Sequence, residues 1–152
     1  MKKLLFILST ILLFSSCSSD DDNTKASSNK FIGSWEFLEI TTDVQITSTE
    51  SWAISIKEEI EKELKKDSEY EGNVEFLDNK IFKSYPKSSD NYQGTYTINN
   101  SLATVCINGD CIDYYIENEY LIKKYDETEY YKKYQGIGLV KAWAYVKYKK
   151  IK

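Results

Sequence analysis

Gly94-Thr95-Tyr96-Thr97-Ile98-Asn99-Asn100-Ser101-Leu102-Ala103-Thr104-Val105-Cys106-Ile107-Asn108-Gly109-Asp110-Cys111-Ile112-Asp113-Tyr114-Tyr115-Ile116 is the stretch that decides the fold. β-Branched and aromatic residues fill three short runs, the composition of strands. Asn99-Asn100 and Asn108-Gly109 separate them, and Asn-Gly is the strongest short hairpin signal. Strands joined this tightly are antiparallel neighbours. With Asn108 and Gly109 as loop residues, Ile107 pairs with Asp110 and Cys106 faces Cys111. Opposed Cα atoms lie ~4.5–5.5 Å apart, within disulfide reach. The spacing therefore predicts a Cys106–Cys111 bond; the alternative is two unpaired thiols. No histidine or third cysteine is at hand to make these thiolates a metal site.

The same grammar extends outward. Strands are predicted over residues 33–40, 74–77, 81–85, 94–98, 102–107, 111–116, 120–125, 129–134 and 140–148, with turn signals such as Asp78-Asn79-Lys80 between them. Strands spaced in this way suggest a sandwich or barrel. In adjacent tyrosines, Tyr114-Tyr115 and Tyr130-Tyr131, one ring should point inward and the other outward. Residues 51–66 break the pattern. Trp52, Ile56, Ile60 and Leu64 recur every fourth residue as one apolar stripe of a helix. Glu58–Lys62 and Glu61–Lys65 are favourable i,i+4 pairs, and Thr47 with Glu50 could form a capping box. The stripe should face the strands, either as a lid over a barrel mouth or as a helix that plugs the same opening or covers an open sheet.

The N-terminus carries an address. Met1-Lys2-Lys3 is cationic, and the following apolar run is too short for a permanent span, which needs ~20 residues. It fits a removable signal peptide. Leu13-Phe14-Ser15-Ser16-Cys17 resembles a lipobox, whose cysteine is lipidated and becomes the new N-terminus. The expected organisation is a leader over 1–16, a flexible acidic tether over 17–29 and one domain over 30–152. Asp20, Asp21 and Asp22 resemble the signal that some Gram-negative bacteria use to place lipoproteins on the outer face of the outer membrane. A solvated spacer is the alternative, with the domain then facing the periplasm. The three aspartates lack the alternating ligands and turn glycine of a Ca²⁺ loop.

Composition narrows the chemistry. The 20 basic residues are all lysine. Loss of Lys2 and Lys3 with the leader would leave 18 against 24 acids, a side-chain charge of −6. Such a chain is not steered to nucleic acid, and without arginine it lacks the bidentate fork that suits phosphate. Histidine is absent, which removes the commonest general base and most zinc and copper sites. Neither a metal, a cofactor nor an enzymatic activity is expected. The remaining catalytic arrangement would be a carboxylate pair such as Glu117 and Glu119, more simply read as solvated surface.

With its strands laid out, the chain resembles a lipocalin-like bacterial lipoprotein. The matching residues are Phe31-Ile32-Gly33-Ser34-Trp35, where that family has Gly-X-Trp; Gly94-Thr95-Tyr96-Thr97-Ile98 with Leu102 beyond; and Asp126-Glu127-Thr128-Glu129-Tyr130, like its Asp-X-Thr turn. The resemblance spans about residues 31–150. It implies an antiparallel up-and-down barrel, with the helix between strands 1 and 2, where fatty-acid-binding barrels carry theirs. Lipocalins stack a last-strand arginine on the tryptophan; Lys147 or Lys149 would substitute here. Independently of the family, Gly33 admits the chain closely at the barrel end and Trp35 buries a large ring there. Two functions stay open. One is binding of a small apolar ligand, contacted by Trp52, Ile56, Ile60, Tyr96 and Tyr115. The other is a surface interaction module for a protein or glycan partner.

Overall fold

The computed structural model describes residues 30–66 and 70–151, so Cys17, the tether and the leader lie outside the described residues. Eight strands close into an antiparallel up-and-down barrel, in chain order, with the last returning to the first. They are β1 (Gly33–Ile46), β2 (Asn73–Phe76), β3 (Ile81–Tyr85), β4 (Tyr92–Asn99), β5 (Leu102–Ile107), β6 (Asp110–Glu117), β7 (Tyr120–Asp126) and β8 (Leu139–Lys150). Helix α1 (Ser51–Lys66) sits between β1 and β2, as the stripe predicts.

Turn chemistry sets the closure. Asn108 (φ 53°) and Gly109 (φ 99°) both adopt the left-handed conformation that a two-residue hairpin requires, and the cost is lowest for Asn and Gly. The register pairs Ile107 with Asp110 and Cys106 with Cys111, and the disulfide is formed.

Period-two alternation sends one residue in two inward. Val74, Phe76, Phe82, Tyr96, Ala103, Val105, Tyr114, Leu121, Val146 and Tyr148 make the barrel core with Phe31 and Trp35. The rings of Phe82, Tyr96 and Tyr114 lie 5.0–5.5 Å from the Phe76 centroid, each edge to face. Each is buried, so the lower barrel is packed solid.

β1 and β8 continue past this core as a paired arm, from Glu39 opposite Lys147 to Val44 opposite Ala142. A register shift between Phe37 and Glu39 swaps the parity of β1, so that Ile40 and Val44 continue the inner face begun by Trp35 and Phe37. The face of β8 that carries Val146 and Tyr148 into the barrel carries Ala142 and Ala144 to the helix. Small residues there let α1 approach closely. Ala53, Ile60 and Leu64 are its buried residues.

The structure corrects four expectations. Residues 129–134 are not a strand; helix α2 (Thr128–Tyr131) stands there, started by Asp126 Oδ1 accepting from the Thr128 N–H at 3.1 Å. No capping box forms, because the Thr47 hydroxyl donates to the Gly138 carbonyl and Ser48 Oγ accepts from the Glu50 N–H. The i,i+4 ion pair on α1 is Lys57–Glu61 at 3.1 Å. Finally, the stripe is rotated toward Ala53, leaving Trp52 half-exposed.

Candidate functional site at the barrel mouth

The β5–β6 hairpin stands at the open end of the barrel. Its turn and disulfide hold Ile107 and Asp110 at the rim, with Val105 and Ile112 as the next inward pair below. From β4 comes Tyr92, from β6 Tyr114, and from β7 Lys123 and Tyr125. Together these residues line a cleft of about 360 Å³. One wall is aliphatic, the other a set of tyrosine rings.

The depth of the cleft is polar. Lys123 shares the inward parity of Leu121 and Tyr125, and is 3 % exposed. A buried ammonium needs a counter-charge. It has one in Glu71, just ahead of β2, whose Oε1 accepts from Lys123 Nζ at 2.6 Å and from the Tyr125 hydroxyl at 2.8 Å. Oε2 accepts from the Tyr148 hydroxyl at 2.7 Å. The Lys123 ammonium also stands 4.5 Å from the Tyr125 ring centroid, a cation–π distance. Burial pulls the Lys123 ammonium below its ordinary lysine range, with Glu71 opposing that shift. Burial first, and the Glu71 charge with it, pushes the phenols of Tyr114, Tyr125 and Tyr148 above theirs. All three therefore remain protonated donors at neutral pH. Among the described residues, no buried side-chain nitrogen or oxygen lacks a hydrogen-bond partner.

Two other openings are larger. A cleft of about 740 Å³ lies at the barrel base by Trp35, Asn118 and Lys149, and one of about 480 Å³ runs along the outer wall by Tyr115, Tyr145 and Lys147. Neither contains a buried, charged side chain, so the mouth is the better-built site despite its size.

The residues expected to contact a ligand do not converge there. Tyr96 is core, its hydroxyl donating to the Leu77 carbonyl. Tyr115 faces outward opposite Ile122, because its neighbour Tyr114 takes the inward position. Ile60 is fully buried between α1 and the arm, and Ile56 is half-buried in the same cluster. Trp52 lies on the outer side of the helix, close to Gly136. Gly33 has φ 128°, and Trp35 lies beside Asn118 and Lys149. Trp35 is 1 % exposed, and its Nε1 donates to the Phe31 carbonyl at 2.8 Å. The cation over its ring is Lys150, at 5.1 Å, rather than Lys147 or Lys149. Lys147 instead covers the outward Tyr120 at 4.0 Å. Glu117 and Glu119 are exposed at the β6–β7 turn.

Sequence reasoning missed Glu71, Lys123 and Tyr125. Lys123 was findable: a lysine at the inward parity of a strand is a buried charge awaiting a partner. Glu71 carries no such signal, since it lies in a connection without periodicity. Among the described residues no group of acids and cysteines could hold a metal ion. Comparison of the chain with family models, curated proteins and solved structures finds no match.

Proposed function

We propose that this protein is a lipid-anchored binding protein of the bacterial cell envelope, and that the barrel mouth takes up a small, largely apolar ligand. The observation that carries the reading is the cleft of about 360 Å³, with Val105, Ile107 and Ile112 on one side and tyrosine rings on the other. Its size is within the ~300–1,000 Å³ of small-molecule sites. The packed lower barrel limits the ligand to the mouth. The lipobox-like Leu13-Phe14-Ser15-Ser16-Cys17 supports anchoring through Cys17, and Asp20, Asp21 and Asp22 support display on the outer face of the outer membrane. No catalytic role is assigned.

Native mass spectrometry of the purified domain, with fluorescence titration of the neutral apolar probe N-phenylnaphthylamine, tests the reading. Ile112→Glu should abolish probe binding without unfolding the barrel. A wild-type domain that carries no ligand and binds no probe would end it. Palmitate labelling of intact cells should be lost in Cys17→Ala.

A second reading has its own observation. Trp143 and Tyr145 stand together on the outer wall, with Lys124 and Lys141 at 3.1 and 4.0 Å from the indole centroid. Aromatic faces with flanking polar groups suit a glycan or protein partner. Trp143→Ala would then abolish glycan or partner capture and leave probe binding intact.

A further inference from the structure

We propose that the mouth cleft selects ligands with an uncharged polar head and discriminates against free carboxylates. This deepens the binding reading above and rests on it. Among the described residues Lys123 is the buried cation, and it is also the cation lining the cleft. A cleft of this shape with a free lysine at its depth would be a carboxylate receptor. Here Lys123 already has a carboxylate: Glu71, at 2.6 Å. Glu71 is fixed in place, because the Tyr125 and Tyr148 hydroxyls also donate to it.

The charges facing the cleft therefore favour neutrality. Lys123 and Glu71 cancel, and Asp110 at the rim adds a negative charge. A second carboxylate would have to share Lys123 with Glu71, at a separation where like charges repel strongly in a partly desolvated site. A hydroxyl or carbonyl meets no such opposition. An ammonium has three N–H donors, and Glu71 takes one. The Tyr125 oxygen, having donated its proton to Glu71, still has acceptor capacity. An alcohol or amide head can thus bond in both directions while its apolar body lies against Val105, Ile107 and Ile112.

The test is displacement of bound N-phenylnaphthylamine by decanol and by decanoate at neutral pH, below micelle formation, in the wild type and in Glu71→Gln. The wild type should bind decanol more tightly than decanoate. Any apolar site shows some such preference, so the ratio in the variant decides. Glu71→Gln leaves Lys123 without its counter-ion, and decanoate can then supply one. The decanoate-to-decanol ratio of dissociation constants should fall by roughly tenfold or more. A ratio unchanged within about twofold would overturn the proposal, as would a wild type that prefers decanoate. Should Glu71→Gln fail to fold, Asp110→Asn at the exposed rim should lower the same ratio roughly twofold to threefold, and no change there would also overturn it. Probe binding with no head-group selectivity would remove this inference and leave the binding reading standing. Absence of probe binding in the wild type would remove both.

Discussion

Trp35 shows how a single side chain closes one end of a barrel. Gly33, at φ 128°, turns the chain where a side chain would be strained. The indole then lies beneath the core, its N–H satisfied by the Phe31 carbonyl and its face covered by Lys150. Lys150 is tied down in turn, donating to the Lys30 carbonyl at 2.9 Å. Trp35→Ala should destabilise the domain by about 3–5 kcal/mol. Trp35→Phe keeps much of the buried area but strands that carbonyl, and should cost about 1–2 kcal/mol. Urea unfolding would measure both; an alanine variant within about 0.5 kcal/mol of wild type would show that the base does not depend on this ring. Tyr114 and Tyr115 illustrate a different rule. Adjacent in sequence, they divide between core and outer wall by strand geometry alone.

At the scale of elements, the β5–β6 hairpin forms one side of the mouth, while α1 packs on the β1–β8 arm. Ile60 and Leu64 of α1 are sealed against the β1–β8 arm, the arrangement of a helix that covers a sheet. Ile60→Asp would bury a carboxylate without a partner and should lower stability by at least about 3 kcal/mol, seen as a sharp fall in melting temperature. A variant that melts like wild type and merely loses probe binding would identify α1 as a movable lid instead. The Cys106–Cys111 bond closes a short loop, sequence separation 5, so its contribution to stability is about 2 kcal/mol. Cys106→Ser with Cys111→Ser should lose about that much in urea, and should weaken probe binding because Ile107 and Asp110 hold the rim. Two alkylatable thiols in the folded wild type would contradict the bond itself.

For the whole molecule, the buried tyrosines predict sensitivity to alkali. Tyr114, Tyr125 and Tyr148 have folded values raised above the ordinary 10.0. The folded chain therefore keeps protons that the unfolded chain has released. That stability is fully present below pH ~10 and is lost as pH rises beyond it. Lys123 acts in the opposite sense: its lowered value means that stability is gained as pH rises toward 10.5. Three tyrosines against one lysine leave a net loss above pH ~10, up to about 1.4 kcal/mol per pH unit for each proton not offset. Guanidinium unfolding midpoints at pH about 9, 10 and 11 would check it, and Tyr125→Phe should flatten the decline. A midpoint constant across that range would mean that the cluster opens to solvent.

The sequence by itself determined a set of antiparallel strand neighbours, the helix between the first two of them and the paired cysteines; the choice of a closed barrel over a sandwich was made by the tertiary structure. Each of those three features is a local matter: period-two alternation, an Asn-Gly turn and a four-residue apolar stripe; the β4–β5 turn falls on Asn100 and Ser101, one residue beyond the expected Asn99-Asn100. Local rules also set the error at residues 129–134, where aromatic composition suggested a strand. Instead Asp126 Oδ1 accepts from the Thr128 N–H in the turn that leads into a short helix, and Tyr131 buries against the arm. Tertiary structure alone decided the candidate site. Glu71 and Lys123 are 52 positions apart, and only the closed barrel brings their charges together. The bulge at Leu38, which reverses the parity of β1, and the rotation of α1 that favours Ala53 over Trp52 are likewise packing outcomes. An alternation pattern says which residues point inward, but not which of them meet. That depends on strand stagger and on contacts between residues far apart in the chain.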